Sequence, residues 1–219
     1  MTKFKILATA AVVGSGLLAP LAQAGIVSVS GTVTQISAPP SVVVNSGLES
    51  NTTAFIFAEQ QDVTLGAAVA VNASAPGIYN SPGSLTSGSI AAGSVVSSYY
   101  YHADSVGTRN SVTYRSTIVF DTDILGIIVN DNTLIASDWL GSGTTAYGTN
   151  NRGFEMGSAP GFDSFSISIN GRTLTILDTT TTLSDDMRII TAVPEPAAPW
   201  LVAAALGGLV LTRSRRKPV

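Results

Sequence analysis

The chain has 219 residues, with 11 basic and 14 acidic side chains, one histidine and no cysteine. Disulfides and cysteine-based metal or redox chemistry are therefore excluded, and packing alone must hold the fold. Between residues 25 and 192, thirteen carboxylates face five arginines and no lysine, a balance of −8 that repels nucleic acid and anionic lipid surfaces.

The first segment reads as an address. Lys3 and Lys5 precede an apolar run from Ile6 to Leu18, Pro20 breaks it, and Ala22-Gln23-Ala24 supplies the small-x-small pattern that signal peptidase accepts. The run is shorter than the roughly 20 apolar residues a spanning helix needs. Residues 1–24 are thus expected to be a signal peptide, removed after Ala24 to leave Gly25 at the front of the mature chain.

Residues 25–192 form one domain by length, and their hydrophobic period is two rather than 3.6. Ile26, Val29, Val33 and Ile36 mark a first strand, which Ala38-Pro39-Pro40-Ser41 separates from the next. Asn72 to Gly93, rich in Ser, Gly, Ala and Pro, reads as a long surface loop. In the strand through Tyr99-Tyr100-Tyr101-His102-Ala103-Asp104, alternation puts Tyr99 and Tyr101 on one side, Tyr100 and His102 on the other. With one side taken as core, the other presents an aromatic or imidazole beside Asp104. Thr113 to Phe120 and Ile124 to Val129 are β-branched strands. Phe165 to Ile176 reads as a hairpin about Asn170-Gly171, the favoured pair for a two-residue type I′ turn. That turn sets Ile167 opposite Leu174 and Phe165 opposite Ile176 on one face. Thr179 to Thr182 suits either extended strand or exposed loop. No stretch carries a helical stripe, so the expected fold is all-β, an antiparallel β-sandwich of jelly-roll or lectin-like kind.

The chemistry-bearing residues are few. His102 has no Gly-x-Ser-x-Gly elbow for company and no second histidine or cysteine for zinc, so the domain reads as non-enzymatic. A polysaccharide-acting enzyme would need two carboxyls roughly 5–10 Å apart in one cleft. No cofactor is called for; the ion that the ligand chemistry admits is calcium, which takes oxygen alone. Asp121, Asp123 and Asp131 are its first candidates, although they flank opposite ends of one strand, and Asp185-Asp186 is the second possibility. Tyr101, His102, Asp104 and Trp139 are the candidate ligand-binding residues, since aromatic faces beside carboxylates suit sugars. Asn51-Thr52-Thr53 and Asn72-Ala73-Ser74 match the glycosylation sequon.

The chain closes on Val193-Pro194-Glu195-Pro196, an apolar segment from Ala197 to Thr212, and a basic tail over 213–219 containing Arg213, Arg215, Arg216 and Lys217. The apolar segment spans about 24 Å as a helix, short of a hydrocarbon core of about 30 Å, and crosses with thinning or snorkelling of the basic groups. The basic cluster places the tail in the cytoplasm. This order of motif, transmembrane segment and charge resembles the PEP-CTERM sorting signal of Gram-negative bacteria. The resemblance covers residues 193–217. Segments Tyr100–Gly107, Phe120–Ile128 and Asn170–Leu174 are similar to parts of other ectodomains carrying that signal. It implies recognition by an exosortase, cleavage near Pro194-Glu195-Pro196, and passage from an inner-membrane-anchored precursor to the cell surface or an exopolysaccharide matrix. Signal peptidase, exosortase and exopolysaccharide are the expected partners.

Overall fold

The structure is a computed structural model that describes residues 25–194 apart from 108–110, 158 and 160. Ala22 and Ala24 of the expected signal peptide, and Glu195, Pro196, the segment 197–212 and the basic tail with Arg213, Arg215 and Arg216, lie outside the described residues. Among the described residues no helix is long and apolar enough to cross a membrane.

The period-two reading holds across the domain, which is all-β with two main sheets. The first sheet runs in the order β1 (Ile26–Gly31), β9 (Val112–Phe120), β12 (Thr173–Thr180), β11 (Ser164–Ile167) and β6 (Gly77–Tyr79). The second runs β10 (Ile124–Ile128), β13 (Asp185–Ala192), β8 (Val95–Ala103), β3 (Ala54–Ala58) and β2 (Val33–Gln35), with β4 (Val63–Thr64) also paired to β8. Pairing is antiparallel except between β2 and β3, which run parallel. The sheets meet over a common core. Ile118, Phe165, Leu174 and Ile176 point in from the first, and Ile56, Tyr99, Tyr101, Ile127 and Ile189 from the second. Burying such side chains contributes roughly 1.5–3 kcal/mol each before chain entropy opposes it.

The first expected strand is two strands. β1 ends at Gly31, whose φ of +84° turns the chain, and β2 continues in the opposite sheet. A Cβ at Gly31 would sit 2.0 Å from the Arg115 carbonyl oxygen, so this crossing is open only to glycine.

The second sheet is buried on both faces, which the alternation did not foretell. Every residue of β8 from Val96 to Ala103 is buried. A further layer covers the outer face: the ribbon of β5 (Val69–Val71) and β7 (Gly88–Ile90), the short helix α1 (Asp131–Ala136), and the 3₁₀ turn Asp138–Leu140. Val69, Val71, Ile90, Leu134 and Leu140 pack there against Phe57, Tyr100, Ile128 and Ile190. The Asn72–Gly93 segment is therefore no loop. It contributes β6, β7 and a 3₁₀ turn at Pro82–Ser84, and Asn72 and Ala73 are buried.

The hairpin keeps its register, with Ile167 opposite Leu174 and Phe165 opposite Ile176, but not its turn. Asn170 has no positive φ, which excludes type I′. The Gly171 N–H donates to the Ser168 carbonyl at 2.8 Å and Ser168 pairs with Thr173, leaving a four-residue loop. Side chains complete it: Thr173 N–H donates to Ser168 Oγ at 3.0 Å and Arg172 N–H to Asn170 Oδ1 at 3.1 Å. In the threonine run, Thr179 and Thr180 end β12 and are buried, whereas Thr181 and Thr182 are exposed.

Candidate functional site

Adjacent residues of a strand point to opposite faces, and in β13 that rule splits the acidic pair. Asp186 and Arg188 face the outer layer; Asp185, Met187 and Ile189 face the inter-sheet core. Two buried polar clusters result.

The outer cluster is a continuous chain of ion pairs and hydrogen bonds. Arg188 donates through Nε and Nη2 to both Glu59 oxygens at 2.8 and 2.9 Å, through Nη1 to Ser137 Oγ and the Leu134 carbonyl, and through Nη2 to Asp138 at 3.2 Å. Its guanidinium lies 5.2 Å from the Tyr100 ring centroid. Arg152 holds both Asp138 oxygens through Nη2 and donates from Nη1 to the Tyr100 hydroxyl, which donates to Asp186 Oδ2 at 2.8 Å. His102 completes the line, with Nδ1 2.7 Å from Asp186 Oδ1 and Nε2 3.2 Å from the Leu48 carbonyl. Both partners are acceptors, so the ring donates from both nitrogens and carries a charge. Burial is the largest influence and opposes that charge, but the Asp186 carboxylate, Asp104 and the Leu48 carbonyl together outweigh it and raise the imidazole pKa. With Nε2 bound to a carbonyl inside the protein, His102 serves here as a fixed cation.

The inner cluster gathers carboxylates with no cation paired to them among the described residues. Asp178 comes from the end of β12, Asp185 from the start of β13, and Glu155 and Asp163 from the segment that precedes β11. Asp163 staples this segment to β12: its Oδ1 accepts the Thr179 N–H at 2.8 Å and its Oδ2 the Glu155 N–H at 2.7 Å. Asp178 accepts the Tyr101 hydroxyl at Oδ2. Asp178 Oδ1 and both oxygens of Asp185 are buried with no donor from any other residue, so the two carboxyls can satisfy one another only by sharing a proton. Oxygens of Glu155, Asp163 and Asp185 all lie within 4.8 Å of one another. Glu155 is exposed while the other two are buried, so Glu155 forms the mouth. None of the ion pairs among the described residues reaches these groups. Burial pushes Asp163 up to about 7, and burial together with the neighbouring carboxylates holds Asp178 and Asp185 well above the usual range.

The candidates read from the sequence are placed differently. Tyr101, His102 and Asp104 are 0%, 0% and 3% exposed, so the expected aromatic or imidazole platform beside Asp104 is not on the surface. The physical reason is the outer layer, which turns both faces of β8 into core. Asp104 instead accepts the Asn45 N–H at 3.0 Å. Trp139 is 47% exposed and stands apart from those three, on the 3₁₀ turn at the rim of a shallow depression of about 180 Å³.

Asp121, Asp123 and Asp131 are not gathered into one site. Asp121 accepts the Gly25 N–H at 2.8 Å and Asp123 pairs with Arg172 on the surface. Asp131 opens α1 at the other end of β10, where its carboxylate accepts the N–H groups of Asn151, Arg152 and Gly153. Asn72 is buried and its Oδ1 accepts the Val129 and Asn130 N–H groups, which closes that sequon to a glycan in the folded domain. Asn51 is exposed.

Sequence reasoning passed over Glu155, Asp163 and Asp178. Each is a lone acid, separated from Asp185 by 7 to 30 positions, and only the strand crossing from one sheet to the other unites them. Comparison with known proteins gives no match among family models, curated proteins or solved structures.

Proposed function

We propose that the protein is exported, trimmed at both ends and delivered to the cell surface or an exopolysaccharide matrix, where its lectin-like β-sandwich has a structural, non-enzymatic role. The carrying observation is the ordered tail: Val193-Pro194-Glu195-Pro196, then the apolar segment, then Arg213, Arg215 and Arg216. Two features of the domain support it. Strand β13 ends at Ala192, so Val193 and Pro194, the first two residues of the motif, follow the sheet rather than belong to it. At the other end the Gly25 N–H already donates to Asp121 Oδ1. Cleavage after Ala24 turns that amide into an ammonium, and the bond becomes charge-assisted and stronger.

Fractionation of producing cells tests this. Wild-type protein is expected outside the cytoplasm, in the matrix or medium, and a variant with Arg213, Arg215 and Arg216 all changed to alanine is expected to stay in the membrane fraction uncut. Equal release of both forms would refute exosortase sorting.

Carbohydrate binding is the second reading, and the exposure of Trp139 beside a shallow depression that Thr133 and Ser137 also line favours it. A stacking platform gives saturable binding to the producer's exopolysaccharide that Trp139→Ala reduces roughly fivefold, since such a contact is worth on the order of 1 kcal/mol. Binding unchanged by that substitution would remove Trp139 from the contact surface.

A further inference from the structure

We infer that Glu155, Asp163 and Asp185 form the binding site of one calcium ion, reached from the surface past Glu155, with Asp178 as their buried neighbour. The geometry fits a single ion. Calcium holds its oxygen ligands at about 2.3–2.6 Å, so oxygens on one ion lie no more than about 5 Å apart. The oxygens of Glu155, Asp163 and Asp185 meet that limit at 4.8 Å.

The second observation is independent of the clustering. Asp185 is 1% exposed, and no group outside the acidic cluster donates to either of its oxygens or to Oδ1 of the fully buried Asp178. Such a group has two ways to offset its lost hydration: without metal it keeps a proton, and a bound cation displaces that proton and takes the place of the water. In the outer cluster the buried carboxylates are paired: Glu59 with Arg188, Asp186 with His102 and Tyr100. Among the described residues the inner cluster has no such cation, and there Glu155, Asp163 and Asp185 converge.

The ligand set also selects the ion. It offers oxygen alone, which disfavours zinc and copper. It gathers more carboxylates than magnesium takes, since magnesium keeps most of its water and uses one or two. The two backbone N–H groups on Asp163 leave each of its oxygens a free lone pair and orient the group as supporting bonds orient metal ligands. A bound ion would tie the Glu155–Asp163 segment to the β12–β13 crossover, joining the two sheets at one end. Calcium binding stands without the sorting proposal; only the affinity borrows from it, because extracellular modules bind at about 10⁻⁴–10⁻³ M.

The test uses the full chain in detergent, stripped with chelator and titrated with calcium or magnesium chloride while thermal unfolding is followed. Terbium luminescence excited through tyrosine gives a second readout, because the Tyr101 hydroxyl rests on Asp178. Calcium is expected to raise the melting temperature and magnesium to leave it nearly unchanged. Asp185→Asn should abolish both the calcium shift and the terbium signal. Glu155→Gln, at an exposed position that leaves folding alone, should weaken calcium roughly tenfold or more. Asp123→Asn should change neither. Absence of a calcium shift in the wild type, equal stabilisation by magnesium, or full response in Glu155→Gln would overturn the assignment.

Discussion

Arg188→Met should cost about 3–5 kcal/mol, the range for removing one partner from a buried ion pair. The loss would leave Glu59 buried and uncompensated, and would strip a donor from Ser137 Oγ and from the Leu134 carbonyl. In a domain of this size that corresponds to a fall of roughly 6–20 °C in melting temperature. The effect belongs to the orphaned charge rather than to the pair itself, so adding Glu59→Leu to Arg188→Met should recover much of it. Asp138 keeps Arg152 in either variant. Urea unfolding with an unchanged m-value would measure both. A single variant within about 1 kcal/mol of wild type would mean that water reaches Glu59.

The second large effect is on pH. In chelator the domain should be most stable in mild acid and lose stability as pH rises from about 4 through 8, the reverse of ordinary acid unfolding. Unfolded aspartates titrate near 3.9 and histidine near 6.5. Burial pushes folded Asp163 up to about 7, burial and neighbouring carboxylates hold Asp178 and Asp185 well above the usual range, and His102 lies above its ordinary value. Each group therefore holds its proton longer in the folded chain, unfolding releases protons, and rising pH favours unfolding. For Asp163 the window runs from about 4 to 7 and is worth on the order of 4 kcal/mol at its top. His102 adds to the decline above about 6.5. Calcium should flatten the carboxylate part of this curve and leave the histidine part. Denaturant midpoints at pH 5 and pH 8, with chelator and with calcium, decide it; a midpoint that rises with pH in chelator would contradict these shifts.

Local pattern made the strands legible. Phe165 and Ile167 against Leu174 and Ile176 define one hairpin register, because a one-residue slip would turn all four to the other face. The turn type was hidden, since Ser168 and Asn170 replace backbone bonds with their own side chains. The double burial of β8 left no local mark either. Val96 to Ala103 alternates no more strictly than a half-buried strand would, and its second cover comes from Val69, Val71, Ile90 and Leu134, distant in sequence. Asp185-Asp186 was visible as a pair of acids. Strand geometry sends one to the calcium cluster and the other to His102, a division that requires knowing both faces are closed.

The most direct measurement is the intact mass of the protein recovered from outside the producing cells. A chain that begins at Gly25 and ends within Val193–Pro196 is the predicted result. An extracellular chain that still carries the apolar segment and the basic tail would contradict the account.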